Sequence, residues 1–364
     1  MGFVSGSRSR NGLAAIPRTT LPAVLAPSAG LESPAMAVAV RSFAKINIGL
    51  EIGPQRADGY HPLRTVYQTV ALHDRLRLDL ARGTGIEIRS KDKRVPEDES
   101  NTCWRMAERA MKALKARGRV VIHVDKNLPV QGGMGAASSN AVATLLGIER
   151  LVGGEIAPEE RLRLAAEVGS DLPLFLVGGT VLGVGRGEEV YPLEDLPPLD
   201  CVVVTPEIGV STPQAFADWD AKNQALATGE RGVGKLTVES GSAKLNGFSH
   251  AIFAWLSGSA TGVPAKAGGD RAEALLLDLV RAGIENDFER VVFPQHPELR
   301  AVKRALEREG AAYASLSGSG STLYGLFASA ELAEKAAKRL SAEGMCATAT
   351  KTLTRREYWK RIFE

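Results

Sequence analysis

A run of small residues, Leu128-Pro129-Val130-Gln131-Gly132-Gly133-Met134-Gly135-Ala136-Ala137-Ser138-Ser139-Asn140-Ala141, leaves a strand-like segment and opens a helix-like one. Small side chains let backbone N–H groups close on an anion, and a helix N-terminus adds its dipole. Ser138 and Ser139 stand where they can cap that helix, donate to phosphate oxygens or, for Ser139, hold a Mg²⁺ ion. The run has no GxxxxGK[ST] of a Walker loop. It lacks the third glycine of a dinucleotide fingerprint, because Gly133 and Gly135 are followed by Ser138, and no parallel βαβ series comes after it. Alone, it reads either as a phosphate cradle or as a tight strand-to-helix connection without a ligand.

Asp171 follows a predicted helix and precedes an apolar segment. A carboxylate there can accept the proton of an attacking hydroxyl, or serve as a capping or turn Asp before Pro173. Lys45 lies within a strand between Ala44 and Ile46, where a lysine is usually an exposed edge residue. Strand alternation nevertheless puts Lys45 and Asn47 on one face. Tyr60 and His61 follow Asp58-Gly59 and read locally as a turn carrying an exposed aromatic. The five histidines and the cysteines at 103, 201 and 346 show no zinc spacing or disulfide framework, so chemistry without a tightly held transition metal is expected. The cysteines read as core thiols, and their sparse count fits a reducing compartment.

Four segments in order now point one way. The loop is similar to the P-x-x-x-G-L-G-x-x-S-S motif of the GHMP small-molecule kinases. SFAKINIGLEI (42–52) resembles that family's N-terminal substrate motif, and LSGSGSTLYGLF (316–327) its C-terminal glycine motif, with Gly318, Ser319 and Gly320. Ala44-Lys45-Ile46-Asn47, then Arg56-Ala57-Asp58-Gly59-Tyr60-His61, then His73-Asp74, together with Gly169-Ser170-Asp171-Leu172-Pro173-Leu174-Phe175, are similar to the branch whose acceptor is a methylerythritol linked to cytidine diphosphate. The resemblance covers about residues 38–364 apart from an insertion near 217–285.

The resemblance implies an α+β fold of two domains, an N-terminal one like ribosomal protein S5 domain 2 (36–198) and a ferredoxin-like C-terminal one (199–364). It implies ATP with Mg²⁺, bound along Pro129–Ser139, and a C-terminal glycine motif folded back against that loop. Asp171 would be the general base and Lys45 its partner, favouring the charged carboxylate and orienting the acceptor hydroxyl. Asn47 would contact the acceptor, Tyr60 would stack on the cytosine, His61 would hydrogen-bond the base edge, and Phe216 would stack on the opposite face. Asn286-Asp287 matches a family pair read as structural, a helix cap. The loop departs from relatives at Gln131, Ala136 and Ala137, where glycine is frequent; alanine suits those sites unless φ must be positive. The rival readings are another GHMP kinase acting on homoserine or mevalonate, and a non-catalytic nucleotide- or sugar-binding regulator on the same fold.

The elements that must position these residues are legible in outline. Strands are predicted at 38–52, 66–80, 85–89 and 119–126, and helices at 101–117, 139–151 and 158–168, with two short strands within 174–190. From Cys201 the order strand, helix (297–310), strand (311–316), strand (322–327), helix (330–344), strand (346–353) is β-α-β-β-α-β. Residues 217–285 include a Gly/Ser/Ala stretch (256–269) that reads as a flexible insertion. Residues 1–35 carry three arginines against one acid and no hydrophobic period. They read as a disordered leader or a start assigned too early, since Met36 opens the first strand, and alternatively as a transit peptide. The 364-residue chain is 44% hydrophobic and 24% charged with a net charge of +3, and has no basic stripe and no long apolar run. A cytoplasmic bacterial protein acting on small molecules is expected, monomer or homodimer, with neither nucleic acid nor membrane as partner; a plastid location would follow only from a transit peptide.

Overall fold

In the computed structural model, which describes residues 37–130, 132–228, 238–256, 276, 278–280 and 282–364, strand β1 (Ala37–Ile52) pairs antiparallel with β2 (Leu63–Ala81) along nearly its whole length. The leader 1–35, Gln131 and residues 257–269 of the Gly/Ser/Ala stretch lie outside the described residues. Alternation along β1 sorts its side chains: Ala44, Ile46 and Ile48 enter a hydrophobic core, while Lys45 and Asn47 face a cleft. The other edge of β2 is used twice. Arg75–Ala81 pairs with β4 (Arg119–Asp125), and Leu63–Gln68 with β5 (Thr180–Gly185). β3 (Gly85–Ser90), parallel to β4, and β6 (Glu189–Pro192), against β5, complete a six-stranded sheet.

Helices α1 (Thr102–Ala113), α2 (Ala136–Val152), α3 (Pro158–Val168) and α4 (Leu172–Val177) pack with this sheet around one apolar cluster. α1 starts where its cap predicts: the Asn101 side chain accepts the Cys103 N–H at 2.9 Å. α2 starts at Ala136 rather than near Ser139. Its cap is Gly135, in the left-handed conformation at φ +68°, so neither serine caps the helix. α4 replaces the first strand expected within 174–190. A six-residue apolar run carries too little period to separate helix from strand, and Pro173 suits a first helical turn.

β7 (Asp200–Val204), β8 (Tyr313–Leu316), β9 (Leu323–Phe327) and β10 (Ala347–Lys351) form a second, antiparallel sheet in the order β10-β7-β9-β8. Between β7 and β8 lie α5 (Thr212–Thr228), α6 (Val238–Leu256), α7 (Glu289–Gln295) and α8 (Pro297–Arg308); α9 (Ala330–Ala342) joins β9 to β10. With α8 and α9 as its crossovers, this is the ferredoxin-like arrangement expected. The described part of 217–285 is largely helical, and the stretch read as flexible lies beyond it apart from Leu256.

Ala35–Glu364 form one unit. The two sheets share a core in which Ala44, Ile46 and Val66 meet Cys201, Val203, Tyr324 and Leu326. The chain's end returns to the first sheet: in α10 (Arg355–Arg361) the buried Tyr358 donates its hydroxyl to Phe175 O at 2.7 Å, and Phe363 bridges to Val40. Cys103 and Cys201 are buried as expected, whereas Cys346 is exposed because it sits in the turn entering β10. Among the described residues no helix is long and apolar enough to cross a membrane.

Candidate active site

Asp74 sets both ends of the glycine loop. Its wholly buried carboxylate accepts the backbone N–H groups of Asn127 and Leu128 at 2.8 Å each, Lys126 Nζ at 2.5 Å and Asn140 Nδ2 at 3.0 Å. A buried carboxylate with four donors holds one orientation, so the strand end and the first turn of α2 are pinned to it.

The C-terminal glycine motif sets the middle of the loop. Thr322 N donates to Gly132 O at 3.1 Å, and Ser317 Oγ to Gly133 O at 3.0 Å. Positive φ falls on Gly133 (+77°) and Gly135 (+68°), while Ala136 and Ala137 are helical, so alanine is unstrained at both departures from the family pattern. A Cβ on Gly133 would lie 2.2 Å from the Ser317 carbonyl oxygen and 3.0 Å from that of Gly320. Asn286 braces the motif from behind: Nδ2 donates to Leu316 O and Gly318 O at 2.8 Å each. Asp287 accepts Ile52 N at 2.9 Å. The pair ties loops together, and Asn286 Oδ1 also accepts Phe288 N at 3.0 Å, capping the turn that leads into α7, whose own cap position is Phe288.

Lys45 joins the loop to Asp171. Its buried ammonium donates to Asn47 Oδ1 at 2.6 Å and to Gly133 O at 2.8 Å, and lies 3.7 Å from Asp171 Oδ2. Burial pulls this ammonium below the ordinary lysine range, and the Asp171 charge opposes the pull. Asn47 is oriented in turn by donating to Thr65 Oγ1 at 2.9 Å. Asp171 stands at the cap position of α4, but its side chain makes no cap bond there; it is about one-third exposed, to the cleft. Its second oxygen has a partner that sequence reasoning missed: Tyr67 Oη donates to Asp171 Oδ1 at 3.2 Å. Burial and the neighbouring carboxylate push the Tyr67 hydroxyl well above its ordinary value, so it stays a donor. Only the β1–β2 register, which sets Asn47 opposite Tyr67, places it here.

We expect Tyr67→Phe to lower kcat roughly tenfold, the scale of one hydrogen bond to a charged group. The ring still packs, so KM for either substrate and the melting temperature should hold. Steady-state kinetics with a thermal melt check this; a change confined to KM would remove the hydroxyl from the base's surroundings.

Gly133 lines two cavities. On one side is a cleft of about 650 Å³ that gathers Lys45, Asn47, Asp171, Tyr60, His61, Phe216, Gly318 and Ser319. On the other, about 340 Å³ runs along the loop from Asn101 and Thr102 past Lys126, Pro129 and Val130 to Gly135, Ala136, Ala137 and Ser138. Ser139 is not among its lining residues. Its hydroxyl accepts Ser42 Oγ at 2.7 Å in the interior, because one residue further along a helix points to another face. Ser138 and Asn140 line the cavity instead, and Asn140 Oδ1 is a buried acceptor without a partner.

At the far end of the cleft Tyr60 is exposed, with the Arg186 guanidinium 4.9 Å from its ring centre. His61 is buried: Nδ1 contacts Gly53 O at 2.9 Å, and Nε2 contacts Asp220 Oδ1 at 3.2 Å. Both ring nitrogens are therefore engaged by the protein, at the wall of the same cleft. Its face stacks on Phe216, with ring centres 5.3 Å apart and planes at 12°, and Phe216 meets Phe288 edge-on at 5.0 Å. Sequence reasoning also missed Arg186, Asp220 and Thr212, whose hydroxyl is 2.7 Å from Ser319 Oγ.

Residues 101–179 match the GHMP kinases N terminal domain, and residues 272–345 the GHMP kinases C terminal domain. The chain is 39% identical over 290 residues to the 4-diphosphocytidyl-2-C-methyl-D-erythritol kinase of Solibacter usitatus, covering 79% of this chain and 80% of that one. It is 33% identical over 312 residues to the enzyme of the same name from Rhodococcus jostii, covering 85% and 90%. A crystal structure of 4-(cytidine 5'-diphospho)-2C-methyl-D-erythritol kinase superposes with a TM-score of 0.65 at 27% identity, covering 86% of this chain and 98% of that one. The mevalonate kinase of L. major, in complex with R-mevalonate, shares the fold, with a TM-score of 0.64 at 16% identity, covering 87% and 96%.

Proposed function

The chain belongs to the GHMP kinases, and we propose that it transfers the γ-phosphoryl group of ATP to the 2-hydroxyl of 4-diphosphocytidyl-2-C-methyl-D-erythritol. One observation carries the reading. Gly133 is the wall between the two cavities, and its carbonyl holds the lysine whose ammonium faces Asp171. A nucleotide laid along the loop and a hydroxyl held at Asp171 meet there.

Asp171 takes the hydroxyl proton as the oxygen attacks the γ-phosphorus. The bond from that phosphorus to the bridging oxygen breaks, and ADP leaves. Lys45 holds the carboxylate in place and offers positive charge beside the reacting groups. Phosphoryl transfer asks chiefly for positioning and charge stabilisation, and the two braced loops supply the first. The donors fit a Mg²⁺ ion held mainly by the nucleotide's phosphates, since Ser138 and Asn140 are among the residues that line the cavity and Asn140 Oδ1 is a buried acceptor without a partner. When bound, such an ion neutralises charge on the phosphates.

An assay of ATP consumption across this acceptor, homoserine, mevalonate and galactose tests the reading. The cytidine-linked acceptor should lead by at least about a hundredfold in kcat/KM; a preference for homoserine or mevalonate would overturn it. Tyr60→Ala should weaken acceptor binding by roughly 1–3 kcal/mol, the scale of base–aromatic stacking, or about 5–150-fold. ATP affinity should barely change, and Tyr60→Phe should restore most of the loss. Titration calorimetry with both substrates reads the pattern, and a loss of ATP affinity alone would misplace the base.

A further inference from the structure

Building on that reading of the acceptor, we propose that Arg186, in the turn between β5 and β6, forms the subsite for the acceptor's diphosphate. The acceptor carries its two phosphates between a base and a polyol. The base end of the cleft is marked by Tyr60 and Phe216, and the reacting end by Asp171 and Lys45. One turn touches both ends. The Arg186 guanidinium lies over the Tyr60 ring, and the next residue, Gly187, runs so close to the reacting end that a Cβ there would sit 2.5 Å from Tyr67 Oη and 3.8 Å from Asp171 Oδ1. The diphosphate must cross the interval that this turn spans.

Charge gives the second argument. Two carboxylates, Asp171 and Asp220, line the cleft, and they repel a dianion unless a cation faces it. The lysine and arginine among its lining residues are Lys45 and Arg186. Lys45 is only 3% exposed and its three donor directions go to Asn47, Gly133 and Asp171. Arg186 is 40% exposed, and Glu188 accepts its Nε at 3.0 Å, which fixes the guanidinium plane and leaves Glu188 off the terminal N–H fork, whose neighbour is the Tyr60 side chain. That fork matches two phosphate oxygens as an ammonium does not.

The test compares cytidine with cytidine 5'-diphosphate, titrated into the full-length protein saturated with ADP so that the nucleotide cavity is filled. Wild type should bind the diphosphate about 10–100-fold more tightly than cytidine, the worth of a charge-assisted hydrogen-bond pair. Arg186→Met should shrink that advantage to less than about threefold with cytidine affinity kept, and Arg186→Lys should recover part of it. KM for the full acceptor should rise in parallel while KM for ATP stays. An unchanged ratio in Arg186→Met overturns the subsite alone, as does an equal loss for both ligands, which would make Arg186 a support for the Tyr60 ring. A wild-type protein that binds neither ligand overturns the reading of the acceptor, and the subsite with it.

Discussion

Asp171→Asn should leave ATP bound and turnover lost, with kcat lower by about 10²–10⁴-fold, the usual contribution of a positioned base. Asparagine has nearly the shape of aspartate, and Tyr67 Oη can still donate to the amide oxygen that replaces Oδ1. What goes is the capacity to take a proton and the charge facing Lys45, whose ammonium is already disfavoured by burial. ATP affinity should hold because Asp171 lines the 650 Å³ cleft and is absent from the lining of the cavity along the loop. Single-turnover kinetics alongside an ATP titration separate the two effects. A variant that keeps kcat within about tenfold of wild type would remove Asp171 from the chemistry.

Gly133→Ala should lower kcat/KM for ATP by about 10²–10³-fold, for a different reason. The left-handed backbone at φ +77° costs an alanine about 1–2 kcal/mol. Its Cβ would also lie 2.2 Å from the Ser317 carbonyl oxygen, a backbone atom that cannot rotate away. The two loops must part, which breaks the bonds that Lys45 Nζ and Ser317 Oγ donate to Gly133 O. Each is worth about 1 kcal/mol net and more where a buried donor is left unpaired, so the whole comes to roughly 3–5 kcal/mol. ATP binding should fall with kcat, unlike in Asp171→Asn. Ala136→Gly is the control: it sits two residues downstream of Met134, already in helical backbone, and should cost about 1 kcal/mol of stability at most with little effect on ATP. Equal damage from both substitutions would mean that loop flexibility, and not the contact with Ser317, decides.

What was legible in the chain and what was not divide along one line. Short-range signals were legible. The period-two run of β1 places Lys45 and Asn47 on one face, Asn101 caps α1, and the small residues after β4 mark a strand-to-helix loop. The β-α-β-β-α-β order of the second sheet follows from hydrophobic period and turn residues alone. These features depend on a few neighbouring residues, so a linear string contains them.

The site depends on pairings across the chain, and those only the tertiary structure decided. Tyr67 reaches Asp171 across 104 positions, and Asn286 reaches Gly318 across 32. Arg186 lies over Tyr60 because β5 pairs with the same end of β2 that follows the Tyr60 turn. Ser138 and Ser139 are chemically alike, yet the start of α2 at Ala136 sends one to the cavity and buries the other against Ser42. His61 reads locally as part of an exposed turn, yet it is buried, with Gly53 O and Asp220 at its nitrogens and Phe216 against its face. Side-chain type fixes which bonds a residue can make; which of them it makes is set by the long-range packing that brings its partners within about 3 Å, because hydrogen bonds fade steeply with distance and angle.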